Sequence, residues 1–264
     1  MTMERLDAAA LSEALSGVAS RVDVVAETGS TNADLVARAA AGEDLRGVVL
    51  VAESQTAGRG RNGRSWTSGA GSQLAMSIGV DVDGVPRDSW GWVPLLTGIA
   101  VCEAAAAAGA GVGLKWPNDV LATPPAAGKV AGILAEVPST SPAPSIVVGV
   151  GVNVAFPADA LPDPNATALN LLGGACTRHD LVIALVEGVT RWCARLREPV
   201  SEDLIADYGR HSLTIGARVR ATLPGDREVV GDAVGVDEFG RLRIATGADV
   251  SVVSAGDIVH LRPV

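Results

Sequence analysis

Three arginines, Arg59, Arg61 and Arg64, lie in one glycine-punctuated stretch, Gly58-Arg59-Gly60-Arg61-Asn62-Gly63-Arg64-Ser65-Trp66. The chain as a whole is acidic, with a formal net charge of -9. Positive charge gathered in one loop of an acidic protein points to a particular anion rather than to polyanions in general. The glycines let backbone N–H groups come close to that anion, and guanidinium groups grip it with paired hydrogen bonds. Downstream, Lys115-Trp116-Pro117-Asn118-Asp119 sets a second cation and two polar side chains in a stiff turn. Lys129 opens a third segment, Lys129-Val130-Ala131-Gly132-Ile133-Leu134-Ala135-Glu136. An inventory of Arg, Lys, Asn, Asp and backbone amides suits phosphoryl or nucleotidyl transfer, where catalysis is mostly positioning and charge stabilisation.

Other chemistries find less support. His179, His211 and His260 are scattered and show no metal-ligand spacing. There is neither a Walker A stretch nor a nucleophile elbow, because position 67 after Ser65 is Thr. Gly58 to Gly63 does match the dinucleotide-binding pattern, with Asp81 and Asp83 near the distance of a ribose-binding carboxylate. That rival requires a helix packed on the sheet right after Gly63, and Arg64-Ser65-Trp66-Thr67-Ser68-Gly69 is a poor helix start.

The elements that must hold these residues follow from pattern. Asp7 to Ser16 is expected to be a short amphipathic helix stopped by Gly17, and Val22 to Ala26 a strand. Ser30, Thr31 and Asn32 offer cap-type side chains to a helix that ends at Gly42. Gly47 to Glu53 and Gln73 to Val80 are expected strands. Trp90 to Ala108 is a buried helix with Pro94 near its first turn. Lys115 to Leu121, Lys129 to Val137 and Ile146 to Val154 are expected as three antiparallel strands with short connections. Helices over Leu181 to Arg197 and Glu202 to Arg210 complete the larger part.

Near Ser212 the character changes. β-Branched residues recur between turn signals at Leu223-Pro224-Gly225-Asp226, Asp237-Glu238-Phe239-Gly240 and Thr246-Gly247-Ala248-Asp249. That spacing predicts a small separate β-barrel or sandwich. The expected division is therefore 1–211 and 212–264. In Gly149-Val150-Gly151-Val152-Asn153-Val154, two glycines within a β-branched run fit either a bulge or the close approach of a flat ligand.

Hydrophobic residues make up 48% and charged residues 19%, enough for a substantial core. The acidic balance disfavours a dedicated nucleic-acid binder. No apolar run is expected to span a bilayer, and the charged start lacks a signal-peptide core. Cys102, Cys176 and Cys193 are far apart and odd in number, as expected of reduced thiols in a cytoplasmic protein.

Five segments together resemble the biotin protein ligase family: Gly-Ser-Thr-Asn at 29–32, Gln55 followed by the arginine stretch at 58–66, Lys-Trp-Pro-Asn-Asp at 115–119, Lys-Val-Ala-Gly-Ile-Leu-x-Glu at 129–136, and Gly-Val-Gly-Val-Asn at 149–153. They occur in the family's order and span most of the chain from about residue 22. Ala168 stands where the family commonly has Ser before the Leu. The resemblance implies an α+β fold: a mixed β-sheet backed by helices, of class II synthetase type, followed by a small SH3-like β-barrel. It implies ATP and Mg²⁺ acting on biotin, and a biotin carboxyl carrier domain of an acyl-CoA carboxylase as acceptor. A few members carry an N-terminal DNA-binding domain; about twenty residues precede the resemblance here, so the single-function type without nucleic acid is expected. The oligomeric state is left between monomer and weak dimer.

Carried over residue by residue, Ser30, Thr31, Asn32 and Gln55 hold the biotin head. Arg59, Gly60 and Arg61 cover its tail and the phosphate. Arg64 meets the triphosphate, and Trp66 packs over biotin or adenine as a lid. Lys115 and Lys129 neutralise the carboxylate and the α-phosphate, with Lys129 carrying most of the transition-state stabilisation. Asn118 and Asp119 orient the phosphate or Mg²⁺, and Asn153 contacts adenine.

Overall fold

The computed structural model describes residues 5–66, 71–161, 163–223, 227–254 and 257–260. The expected turn at 224–226 and the stretch at 67–69 lie outside them.

Seven strands make the larger sheet: β1 (Arg21–Thr28), β2 (Val48–Gln55), β3 (Gln73–Asp81), β4 (Val112–Lys115), β5 (Asp119–Ala122), β6 (Lys129–Glu136) and β7 (Ser145–Asn153). Their order is β1-β2-β3-β7-β6-β5-β4. β1 and β2 run parallel and every other neighbouring pair is antiparallel, so the sheet is mixed. The helices are α1 (Ala8–Ala14), α2 (Thr31–Ala40), α3 (Trp92–Ala107), α4 (Arg178–Ala194) and α5 (Glu202–His211). A second, five-stranded antiparallel sheet follows: β8 (Arg218–Leu223), β9 (Arg227–Val236), β10 (Leu242–Thr246), β11 (Asp249–Val253) and β12 (Asp257–His260), in the order β11-β10-β9-β8-β12.

One expected strand is in fact two. Lys115 to Leu121 is a hairpin in which β4 and β5 pair Lys115 with Asp119 across the Trp116-Pro117-Asn118 turn. Pro117 has no N–H to give a ladder, so the chain reverses there instead of running through. Ser30 caps α2, its hydroxyl accepting from Ala33 N–H, which places Thr31 and Asn32 in the first helical turn.

Period-two alternation divides the sheet's two faces. Val49 and Val51 of β2 join the main core with α1, α3 and α4, whereas Val48 and Leu50 pack beneath α2 with Leu35, Ala39, Leu45 and Val147. The stretch Arg87–Ala107 is long and apolar enough by composition to cross a membrane, which corrects the expectation that no such run exists. It is mostly buried, and its helical core α3 packs against α4, β4 and β6.

The two sheets share the main core. Val219, Ala221, Leu242, Ile244 and Ile258 of the second sheet belong to the same cluster as α3 and the first sheet. Two indoles cross the junction: Trp92 Nε1–H donates to the Glu238 carbonyl at 2.9 Å, and Trp116 Nε1–H to that of Gly240 at 3.0 Å. Cys102 and Cys193 are buried free thiols whose pKa burial pushes up to about 12, so neither is a poised nucleophile.

Candidate functional site

On the α2 side of the large sheet, β3, β7 and β6 present small and polar residues where large ones would be expected. Cross-strand pairing aligns Ala75 with Gly151 and Gly151 with Gly132. The next row holds Ser77, Gly149 and Leu134, and the row on the other side pairs Gln73 with Asn153. This low floor opens into a cavity of about 880 Å³. Lining it are the first turn of α2, the end of β2, the arginine loop, the β4–β5 hairpin, the start of β6, and Ile258 and Val259 of β12. Every candidate site residue read from the sequence is among the lining residues: Ser30, Thr31, Asn32, Gln55, Arg59, Gly60, Arg61, Arg64, Trp66, Lys115, Asn118, Asp119, Lys129 and Asn153.

The arginine loop is a small closed turn. Gly60 N–H donates to the Arg64 carbonyl at 2.7 Å and Trp66 N–H to that of Gly58 at 2.8 Å. A Cβ on Gly58 would lie 2.4 Å from the Trp66 carbonyl oxygen, so only glycine fits there. Asn62 and Gly63 take left-handed φ of 56° and 72° to turn the chain back. Arg64 to Trp66, directly after Gly63, are not helical, and Asp81 pairs with Arg197 at 2.8 Å. The dinucleotide reading of this loop is therefore overturned.

Lys129 and Arg59 are tied to acids, and Arg61 to an amide. Lys129 Nζ lies 2.6 Å from Asp119 and 5.4 Å from the centroid of the Trp66 ring. Arg59 binds Glu136 at 2.5 Å, and Arg61 donates to Asn118 Oδ1 at 3.2 Å. Asn118 in turn donates to the Ile133 carbonyl at 2.9 Å. Lys115 of β4 and Lys129 of β6 thus line the cavity from either side of β5, which carries Asp119.

The polar end is a dense network. Gln55 Oε1 accepts from the N–H and hydroxyl of Thr31, at 2.8 and 3.1 Å. Asn32 donates to the Leu134 carbonyl and Glu136, while its Oδ1 lies 2.6 Å from the Ser77 hydroxyl. Asn153 donates to the carbonyls of Lys129 and Thr167 and accepts from Gln73. Its amide fastens the start of β6, which leaves one oxygen lone pair for any ligand.

Close approach to Gly149 and Gly151 is real, and the occupants are the protein's own side chains. A Cβ on Gly151 would lie 2.5 Å from the Trp66 indole, and one on Gly149 2.4 Å from Asn32 Oδ1. The indole lies over Gly132 as well, and its buried Nε1–H has no hydrogen-bond partner among the described residues.

Sequence reasoning missed Gln73, Ser77 and Glu136. Gln73, which lines the cavity, also has a buried Oε1 with no partner among the described residues. The available signal was polarity on one face of β3, at positions 73 and 77 of an otherwise apolar strand. Asp163 and Asn165, on the exposed rim, were missed as well; nothing in their local sequence marks them.

Comparison with known proteins places this geometry. Residues 30–153 match the Biotin/lipoate A/B protein ligase family, and residues 214–261 the Biotin protein ligase C terminal domain. The chain is 48% identical, over 97% of its length, to a biotin--[acetyl-CoA-carboxylase] ligase of Mycobacterium tuberculosis, covering 96% of that protein. It is 31% identical, over 89% of its length, to the bifunctional ligase/repressor BirA of Bacillus spizizenii, covering 72% of it. Among solved structures, the biotin protein ligase of Aquifex aeolicus in complex with biotin and ATP superposes with a TM-score of 0.75 at 24% identity, over 92% of this chain and all of that one. The Leishmania major biotin protein ligase in complex with biotin gives 0.58 at 27% identity, over 92% and 98% of the two chains. The sequence comparison establishes that this chain belongs to the biotin protein ligase family.

Proposed function

We propose that the protein joins biotin to a protein lysine in two steps. In the first, a biotin carboxylate oxygen attacks the α-phosphorus of ATP, giving biotinyl-5′-AMP and releasing pyrophosphate. In the second, a lysine ε-amine of a biotin carboxyl carrier domain attacks the acyl carbon. An amide forms, AMP leaves with the anhydride electron pair, and the amine gives up its proton. One observation carries this reading: cations and amides from five separate segments line a single cavity.

Two anions must meet in the first step, and the cavity offers five cations against that repulsion: Arg59, Arg61, Arg64, Lys115 and Lys129. Thr31, Asn32 and Gln55, with Ser30 capping their helix, supply the donors and acceptors a buried ureido group needs. Lys129, between Asp119 and Trp66, is assigned to the charge that develops between carboxylate and phosphorus. Arg61, Arg64 and Asn118 are assigned to the phosphates. Asn153 is assigned to the adenine end, where it chiefly holds the Lys129 strand in place.

No group of three or more His, Cys, Asp or Glu side chains that could hold a metal exists among the described residues; Mg²⁺ is read as arriving with the triphosphate, and Asp119, which lines the cavity, is the acid that would help hold it. The chain is read as a catalytic unit, 1–211, and a C-terminal unit, 212–264. Its free thiols support a cytoplasmic setting.

The test is transfer of labelled biotin to a carrier domain with and without ATP, alongside pyrophosphate release by Lys129→Ala. Transfer requires ATP, and the variant loses roughly 10²–10³ in kcat. ATP-independent labelling, or near-normal release by the variant, sinks the assignment.

A further inference from the structure

The β4–β5 hairpin brings Lys115, Asn118 and Asp119 into the cavity, and its two ends are held by different parts of the molecule. The Asn118 end is clamped by β6: Ile133 N–H donates to the Asn118 carbonyl at 3.0 Å, and the Asn118 amide returns a bond to the Ile133 carbonyl. The Lys115 end is clamped from behind, by the segment that leads into the second sheet. Leu213 N–H donates to the Leu114 carbonyl at 2.8 Å. Trp116 N–H, buried and facing away from the sheet ladder, donates to Thr214 Oγ1 at 3.0 Å.

Thr214 is fully buried, and the same hydroxyl lies 3.0 Å from His260 Nε2. A hydroxyl that accepts from Trp116 keeps its own proton for a neutral imidazole nitrogen. Trp116, Thr214 and His260 therefore form a satisfied chain directly behind Lys115. Without the hydroxyl, the Trp116 N–H is left buried with nothing to receive it.

We propose that Thr214 is a positioning residue for nucleotide activation: its hydroxyl fixes the peptide between Lys115 and Trp116, and with it the direction from which the Lys115 ammonium enters the cavity. Thr214 itself does not line that cavity. The inference rests on reading the cavity as the adenylation site. The biotin-facing residues, on α2 and at the end of β2, share no hydrogen bond with this clamp among the described residues, so the effect falls chiefly on the nucleotide.

The experiment compares Thr214→Val, which keeps shape and removes the hydroxyl, with Thr214→Ser, which restores it. Biotin-dependent pyrophosphate release is followed as a function of ATP and of biotin. Thr214→Val lowers kcat/KM for ATP by roughly tenfold or more, since small misplacements of a reacting group are costly, while KM for biotin changes less than about twofold. Thr214→Ser returns to within about threefold of the parent. Should Thr214→Val not fold, Thr214→Cys, whose thiol is a weak acceptor of similar size, falls between parent and the loss expected of Val. Parent-like kinetics in Val or Cys, equal impairment in Val and Ser, or matching rises in both KM values overturn the inference. A parent protein with no biotin-dependent release would instead remove the site reading on which it stands.

Discussion

Single residues decide how closely groups approach in this cavity. Gly132 and Gly151 have no side chains because the Trp66 indole lies on them, and Gly149 has none because Asn32 does. A flat ligand on the strand was one reading of these glycines; the structure fills the space with side chains that themselves wall the cavity. The distinction is invisible in sequence, because a glycine records that something comes near and not what it is. Gly151→Ala is expected to push the indole off its floor, since the new methyl would sit 2.5 Å from it. Intrinsic tryptophan emission should shift, and adenylation should fall by roughly 10–10²-fold through displacement of the neighbouring Lys129. Unchanged emission with full activity would mean that the loop is free to yield. The cations that line the cavity were legible in the sequence because arginines and lysines between glycines are conspicuous. Their acidic counterparts Asp119 and Glu136 were harder to assign, since a carboxylate in a motif signals charge without saying whether it faces a metal, a ligand or a lysine.

Among the elements, those with strong periodicity followed expectation. Helix α3 and strands β2, β3, β6 and β7 lie close to where the apolar runs place them. The β4–β5 hairpin did not, because Val112–Leu114 and Val120–Ala122 are each too short to stand out beside the motif that separates them. Pro117 carried the information, being a residue that a central strand excludes. The arginine loop behaves as an element of its own, closed by the Arg59–Ser65 bridge and tied outward by Arg59–Glu136 and Arg61–Asn118. These outward ties are partly exposed, and such pairs typically contribute about 0–1 kcal/mol each. A polar, glycine-rich loop over a cavity is expected to move when the cavity is empty. Amide hydrogen exchange over 58–66 should slow by at least roughly tenfold when biotin and ATP are added together, and exchange that does not respond would exclude a closing role.

For the molecule as a whole, the junction between the two sheets is where protonation acts. Burial, and then the nearby Lys115, hold His260 below the ordinary histidine value of 6.5, and burial does the same for His211. Both are therefore favoured as neutral groups in the folded chain. As pH falls through 6.5 the unfolded chain takes up these protons first, so stability is full above that value and declines below it. The urea midpoint is expected to drop between pH 7.5 and pH 5.5, and His260→Gln to shrink that drop; an undiminished drop would place the effect elsewhere. The strands of the second sheet were readable from turn spacing after residue 212. The shared core was not, because nothing local marks Trp92 and Trp116 as bridging residues rather than ordinary core.

Those two indole bonds end on main-chain oxygens of one tight turn, Glu238 and Gly240. Such acceptors carry no side-chain identity, so Glu238 can vary provided the backbone path is kept, while Gly240 at φ 76° and Asp237, which accepts from Phe239 and Arg241 N–H, fix that path. A chimera that borrows its C-terminal module from a relative will function only where that path is reproduced to within hydrogen-bonding tolerance, however dissimilar the letters.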